Sequence, residues 1–119
     1  MKLFLVFLVT FLFAENKFDN LGNKLPLKAE RKITFSTNEG TWMSLDISPT
    51  GKSIIFDLVG DLYILPVGGG KAKKITSGIA FDSQPVFSSN KKQISFISDR
   101  GGSENLWVAD LDGKNPIQL

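Results

Sequence analysis

The chain has 119 residues, which is enough for one small domain. Hydrophobic residues make up 42% and charged residues 22%, a composition typical of globular proteins and not of disordered ones. The 14 basic and 12 acidic residues nearly balance, so no basic surface of the kind that nucleic acid requires is predicted. Cysteine and histidine are both absent, which excludes disulfides, thiol nucleophiles, Ser-His-Asp triads and histidine-based zinc sites.

The first fourteen residues, MKLFLVFLVTFLFA, have the layout of a secretory signal peptide. Lys2 gives a short positive start, Leu3 to Phe13 are almost continuously apolar, and Ala14 offers a small residue before the polar ENK. The apolar run is shorter than the roughly 20 residues that a membrane-spanning helix needs. We therefore expect a signal-peptide helix over residues 1–14, cleavage after Ala14, a periplasmic or secreted location, and no transmembrane segment after cleavage.

Strand signals follow a polar leader. Residues 15–31 contain Pro26 and show no clear period, so we interpret them as a leader into the domain. Short segments rich in β-branched and aromatic residues then predict strands: KITF (32–35), SIIFDL (53–58), DLYILPV (61–67), QPVFS (84–88), QISFIS (93–98) and NLWVADL (105–111). The turn sequences PTGK, GGGK, SSNKK, DRGGSE and LDGKN separate them. No segment with helical apolar spacing follows the signal peptide, so the chain is predicted to be all-β.

One pattern occurs twice in the second half of the chain. SPTGKSIIF (48–56) returns as SSNKKQISF (88–96) at an offset of 40. After four extra residues in the SDRGGSEN loop, the alignment continues at an offset of 44, where DLYILPV matches NLWVADL and Gly69 matches Gly113. A unit of about 40 to 45 residues with four short strands is the size of one β-propeller blade. A β-sandwich also has closely spaced strands, but it does not require equivalent side chains at matching offsets.

These repeats resemble the TolB-type, WD40-like (PD40) propeller repeat. That pattern runs roughly P-x-F-S-P-D-G-K-x-I-A-F-x-S-D-R, followed by L-W-x-x-D-x-D-G and a short closing strand. The second copy matches it at Pro85, Phe87, Ser88, Lys92, Ile94, Phe96, Ser98, Asp99, Arg100, Leu106, Trp107, Asp110, Asp112 and Gly113. The chain departs from it at the turns, at Thr50 in the first copy and at Ser89, Asn90 and Lys91 in the second.

The resemblance covers about residues 32–119 and implies an incomplete β-propeller of two four-stranded antiparallel blades, at about 41–76 and 81–119. Propellers close with about four to eight blades, so we expect this chain to be the N-terminal part of a longer protein. The remaining blades and a C-terminal domain of that protein are its expected partners. A blade without a neighbour exposes one apolar sheet face, which we expect to include Phe96 or Trp107.

Three motifs could suggest chemistry, and each has a simpler structural interpretation. GGGK (68–71) lacks the first glycine of a phosphate loop, because Leu65 stands in its place, so we predict a hairpin turn. DLDGKN (110–115) lacks the ligand spacing of a calcium loop, and Asp112-Gly113 is predicted to be a two-residue hairpin turn. SDRGG (98–102) places Asp99 beside Arg100, which we interpret as an ion pair that pins the loop. No catalytic residue, metal ligand or cofactor is predicted, and the binding residues are not identified.

Two classes of function remain open. The stretch from Thr37 to Gly70 also resembles the start of exported propeller regions joined to amidohydrolase domains. That resemblance implies a binding or scaffold module at the front of a larger amidohydrolase-like hydrolase, where the blades gate or position substrate. The alternatives are a TolB-like periplasmic propeller that binds a protein or peptide and has no enzymatic activity, or the propeller of a tricorn-like or prolyl-peptidase-like protease.

The signal-peptide interpretation predicts a defined processing event. Expressed in a Gram-negative host, the chain is expected to lose residues 1–14 and to be recovered from the periplasm with Glu15 at its N-terminus. N-terminal sequencing and intact mass of the periplasmic fraction measure this. Recovery of the chain with Met1 intact in the membrane fraction contradicts it.

Overall fold

The computed structural model describes residues 31 and 33–119, and the predicted signal peptide lies outside them. All regular structure in the described residues is β-strand, as the sequence predicts. None of these residues belongs to a helix long and apolar enough to cross a membrane. The strands are β1 (Leu45–Ile47), β2 (Ser53–Leu58), β3 (Asp61–Pro66), β4 (Lys73–Lys74), β5 (Asp82–Phe87), β6 (Gln93–Ser98), β7 (Asn105–Asp110) and β8 (Ile117–Gln118).

The eight strands form two four-stranded sheets, β1-β2-β3-β4 and β5-β6-β7-β8, and every neighbouring pair is antiparallel. The two predicted central pairings are confirmed, because Ser53 pairs with Pro66 in the first sheet and Gln93 with Asp110 in the second. Each sheet is a simple meander in chain order, the arrangement of one propeller blade.

The predicted strand over KITF is wrong for the residues that the structure describes. Ile33 and Phe35 have no regular secondary structure and remain exposed. Two apolar β-formers in a short stretch are not sufficient, because a strand exists only where a neighbouring strand accepts its backbone hydrogen bonds. The first strand of this sheet is instead Leu45–Ile47, which pairs with Ile54–Phe56.

The two sheets pack face to face around one core. In the second sheet Trp107 lies opposite Phe96, and in the first Leu62 lies opposite Asp57, so the members of each pair share a face. The buried cluster contains residues from both sheets: Ile55, Leu62, Ile94, Phe96, Trp107 and Ala109. Burying one such aromatic or aliphatic side chain contributes about 1.5–3 kcal/mol.

The expectation that Phe96 or Trp107 would be exposed is therefore wrong. Phe96 is 0% exposed and Trp107 1% exposed, because their face of the second sheet lies against the first sheet. The faces that point outward are the opposite ones. On the first sheet that face carries Phe56 stacked on Tyr63, with ring centroids 5.6 Å apart.

Backbone hydrogen bonds to two carboxylates fix the junction between the sheets. Asp57 accepts a bond from Ser44 N, just before β1, at 2.9 Å and another from Gln84 N of β5 at 2.9 Å. Asp46 accepts a bond from Phe87 N, also on β5, at 2.8 Å. Hydrogen bonds to an ionised acceptor are worth about 1.5–3 kcal/mol each, so these bonds set the register of one sheet on the other.

A β-bulge in β5 makes the hydrogen bond from Gln84 N to Asp57 possible. The pairing with β6 shifts register between Ser83 and Val86. Gln84 has a φ of 52°, and Pro85 has no N–H to give to the ladder. The Gln84 N–H thus leaves its own sheet and reaches Asp57.

The two repeats also share their turn geometry. Gly51 N donates to Ser48 O at 2.8 Å, and Lys91 N donates to Ser88 O at 3.0 Å. Gly51 and Lys91 both have positive φ, at 68° and 61°. The departure from the repeat pattern at Lys91 therefore leaves the backbone of the turn unchanged.

The turn after β7 is longer than predicted. Gly113 N donates to Asp110 O at 2.8 Å, and Asp110 N donates to Lys114 O at 2.9 Å. These bonds enclose Leu111, Asp112 and Gly113, so the loop has three residues with Gly113 in the left-handed region, not the two-residue Asp112-Gly113 turn. Gly113 also approaches the carbonyl of Ile75 in the first sheet so closely that a Cβ has no room.

A matched pair of alanine substitutions tests the packing of the two sheets. Gly113 and Gly69 occupy the same repeat position and both have positive φ, at 80° and 90°. We expect Gly69→Ala to lower the free energy of unfolding by about 1 kcal/mol, from backbone strain alone. Gly113→Ala adds a clash with Ile75 and is expected to cost about 3 kcal/mol.

Urea denaturation of both variants measures the difference. Equal losses of stability would contradict the packing of the β7–β8 turn against the first sheet, because a Cβ added at Gly69 meets open space.

Candidate functional site

Three connections and one preceding segment meet at one end of the two sheets. Because neighbouring strands are antiparallel, the β2–β3, β4–β5 and β6–β7 connections all lie at the same end. Asp82 N donates to Gly60 O at 2.9 Å, and Phe81 N donates to Asp99 Oδ1 at 2.8 Å. We call this the loop end; it comprises residues 35–42, 59–60, 75–81 and 99–104.

A shallow groove opens at the loop end between the segment before β1 and the start of the second sheet. Four of its side chains are large, apolar and exposed: Phe35, Trp42, Val59 and Phe81. The other lining residues are Ser36, Thr37, Glu39, Gly40, Thr41 and Leu58. Such a concentration of exposed apolar side chains on one surface is typical of a binding site.

Local contacts hold the walls of this groove. Thr37 Oγ1 donates to Glu39 O at 2.8 Å and accepts from Glu39 N at 3.1 Å, which closes a tight turn. Gly40 lies against the side chains of Met43 and Leu58. The segment from 35 to 42 is therefore seated on the first sheet although it contains no strand.

Two of the exposed residues have strained backbones. Val59 and Gly60 form the two-residue β2–β3 turn, with φ of 53° and 77°, the geometry of a type I′ turn. Asn or Gly normally occupies the first position, and a left-handed residue with a Cβ costs about 1–2 kcal/mol. Trp42 also has a positive φ, of 57°, and its side chain is fully exposed. The fold thus presents a valine and a tryptophan to solvent at an energetic cost.

A buried ion pair fixes the β6–β7 loop beside the groove. The Arg100 guanidinium donates to both carboxylate oxygens of Asp82, each at 2.8 Å, and to Ser98 Oγ at 2.9 Å. It lies over the rings of Phe96 and Trp107, 4.9 and 5.4 Å from their centroids. These contacts pin the loop to the start of β5.

The ion pair predicted within SDRGG has a different partner from the one expected. Arg100 pairs with Asp82 of β5, while Asp99 accepts a hydrogen bond from Phe81 N. Neighbouring residues in a chain point in different directions, so Asp99 and Arg100 reach two separate groups. Together they tie the loop to the start of β5.

A second ion pair lies on the outward face of the first sheet. Lys74 Nζ contacts Asp61 Oδ2 at 2.5 Å. Its hydrogen bond to Asp61 raises the pKa of Lys74 above the usual value. The other oxygen, Asp61 Oδ1, is buried without a hydrogen-bond partner among the described residues.

The motifs that could suggest phosphate or calcium binding lie in hairpin turns. Gly68–Gly70 connect β3 to β4, and Gly69 N donates to Pro66 O at 2.9 Å. In the β7–β8 turn, Asp112 binds Lys114 and Asp110 binds Asn115. Within residues 31 and 33–119, no group of three His, Cys, Asp or Glu side chains is placed to hold a metal ion.

The sequence analysis did not identify the groove. Its walls come from residues 35–42, which have no periodic pattern, and from Val59 and Phe81, which are far apart in the chain. One signal was present: Val-Gly between two strands is an unfavourable two-residue turn, because the first position favours Asn or Asp.

Comparisons with known proteins point to one group. No family model matches the chain. It is 30% identical over 92 residues to the Tol-Pal system protein TolB of Wolinella succinogenes and 31% identical over 86 residues to that of Helicobacter hepaticus. These matches cover 74% and 69% of this chain but only 21% and 20% of the relatives.

A solved structure assigned to TolB of Agrobacterium tumefaciens superposes with a TM-score of 0.59 and 26% identity. The match covers 67% of this chain and 31% of that one. The chain thus spans about a fifth to a third of the length of these relatives. With its two meander sheets, its repeated turns and these matches, the part of the chain that the structure describes has the fold of TolB-type β-propeller repeats.

Proposed function

We propose that this chain is part of an exported, periplasmic TolB-like propeller that binds a protein partner through the groove at the loop end. Two of its relatives are named as components of a Tol-Pal system, which by its name is an assembly of several parts. The predicted signal peptide agrees with a periplasmic location. A protein-binding role without enzymatic activity is the alternative that these relatives support.

The observation that carries the proposal is the exposed, strained pair of Val59 and Trp42. Val59 is 73% exposed and Trp42 101% exposed, and both have left-handed backbones. A strained residue persists only where the surrounding structure holds it in place, and such residues cluster at binding sites. Tryptophan is also among the residues that contribute most to protein–protein binding when a partner covers them.

It remains an untested prediction that this chain belongs to a larger hydrolase, whether an amidohydrolase or a peptidase. The matched relatives are TolB proteins, so they lend no support to a link with an amidohydrolase. This sequence has no histidine and no cysteine, so the catalytic groups of an amidohydrolase or a peptidase must come from residues outside it.

Site-specific photocrosslinking in the native host tests the proposed surface. A photoreactive phenylalanine analogue replaces Trp42 in the chromosomal gene, and a control strain carries it at Thr50, an exposed residue at the opposite end of the sheets. We expect irradiation to yield one discrete protein adduct from position 42 and none from position 50. Adducts of equal yield from both positions, or none from either, would rule out the groove as the binding surface.

Substitution of the strained valine separates stability from binding. We expect Val59→Asn to raise the free energy of unfolding by about 1 kcal/mol, because Asn favours the left-handed region. The same change removes an apolar group from the groove and is expected to reduce the adduct at position 42 several-fold.

Val67→Asn is the matched control, since Val67 is exposed but lies at the opposite end of β3. It is expected to leave the adduct yield unchanged. If Val59→Asn stabilises the protein without reducing the adduct, then Val59 serves only the turn and does not contact the partner.

A further inference from the structure

Four lysines lie on tight turns at the end of the sheets opposite the loop end. Lys52 lies in the β1–β2 turn, Lys71 in the β3–β4 turn, and Lys91 and Lys92 in the β5–β6 turn. We call this surface the turn end. All four side chains are exposed, and none belongs to an ion pair among the described residues.

Hydrogen bonds bring the two turns of the first sheet together. Val67 N donates to Lys52 O at 3.0 Å, so the β3–β4 turn begins beside Lys52. The glycines that follow keep this turn at the surface and place Lys71 on it.

The contacts along β5 bring the turn of the second sheet to the same end. Asp82, at the start of β5, lies beside the β2–β3 turn, and Gln84 lies beside Asp57. Phe87, at the end of β5, lies beside Asp46 in β1. β5 thus runs alongside β1 in the same direction, and the turn that carries Lys91 and Lys92 follows next to the turn that carries Lys52.

The acidic side chains near these turns are already engaged. Asp112 forms an ion pair with Lys114 at 2.6 Å, and Asp110 accepts a hydrogen bond from Asn115 at 2.7 Å. Asp46 accepts two backbone hydrogen bonds. Asp46 and Asp110 keep their negative charge when they accept hydrogen bonds from neutral donors, but none of the four lysines forms an ion pair with a carboxylate among the described residues.

The loop end has the opposite charge. Arg100 at the loop end and Lys74 next to it are each paired with a carboxylate. The acidic side chains at or next to the loop end are Glu39, Asp61, Asp82, Asp99 and Glu104. The net charge of the chain is close to zero, at +2. Within residues 33–119, however, the four lysines of the turn end and the acidic side chains of the loop end lie at opposite ends of the sheets. Such a separation orients a protein in the field of a charged surface.

We propose that the turn end binds the anionic headgroups of a membrane surface. Lysines on flexible stems act as mobile point charges, and a fluid layer of anionic lipids attracts them without a shaped pocket. The residues that dominate binding to protein partners are enriched in tryptophan, tyrosine and arginine, and the turns that carry these four lysines contain none of them. In this orientation the groove at the loop end faces away from the membrane and stays open to a partner.

Vesicle sedimentation with the purified full chain tests this proposal. The vesicles consist of phosphatidylcholine alone or with about 30% phosphatidylglycerol, because the proposal requires anionic lipid. The neutral vesicles also report any binding by the apolar residues 3–13. We expect tighter binding to the anionic vesicles at about 0.02 M salt, and loss of this difference at about 0.5 M salt.

A charge-matched pair of variants locates the binding surface. Lys52→Gln/Lys92→Gln removes the lysines at equivalent positions of the two repeats. We expect it to weaken binding to anionic vesicles about 20-fold, since each lysine at such a surface contributes roughly fivefold. Arg31→Gln/Lys73→Gln makes the same change in net charge outside the three turns, and is expected to weaken binding less than fivefold.

Thermal unfolding followed by circular dichroism checks that both variants retain the fold. Equal binding to neutral and anionic vesicles, or equal losses in the two variants, would overturn the proposal. Retention on immobilised polyglutamate without sedimentation on anionic vesicles would assign the turn end to an acidic protein and would also overturn it.

Discussion

The junction between the two sheets depends on the buried carboxylate of Asp57. It accepts two backbone hydrogen bonds, from Ser44 N just before β1 and from Gln84 N of β5. A buried acceptor that loses its hydrogen bonds costs about 1–3 kcal/mol, and more when it is charged, so sliding one sheet on the other is unfavourable. The bulge at Gln84 and the carboxylate at Asp57 require each other, because the bulge frees the N–H that the carboxylate needs.

The second repeat lacks the two carboxylates that bind the neighbouring sheet. At the offset of 40, Val86 corresponds to Asp46 and Ile97 corresponds to Asp57. The two repeats therefore share their strand arrangement, but the carboxylates that hold the two sheets together occur only in the first. Within the described residues, the carboxylates of Asp46 and Asp57 fix the register of the first sheet on the second. The repeat-equivalent positions on the outward face of the second sheet carry only apolar side chains and Ser95.

Much of the fold was predictable because the local signals were strong and consistent. The central strands β2, β3, β6 and β7 combine alternation, β-branched residues and good turns, and the repeat supplied a second, independent indication of each. The error at KITF and the missed strand at Leu45–Ile47 have a common cause. Residue type alone does not say whether a partner strand lies beside a short segment, and β1 is a strand because β2 pairs with it.

The sites were less predictable, since they depend on contacts between distant residues. Arg100 could be identified as important, but its partner Asp82 is 18 positions away and on another strand. The groove depends on the path of residues 35–42, which have no pattern of their own. The lysines of the turn end were visible in the sequence, but only the order of contacts along β5 shows that two of the turns lie side by side.

The outward faces carry apolar side chains at the positions that are buried in the junction. On the first sheet, Phe56 and Tyr63 are the repeat equivalents of Phe96 and Trp107. On the second sheet, Leu106 is the equivalent of Leu62. In the junction, the equivalent side chains are buried because a second sheet covers them. Outward faces that place large apolar side chains at the positions of the junction residues are suited to packing against another blade, which is the physical basis for expecting further blades as the neighbours of these two sheets.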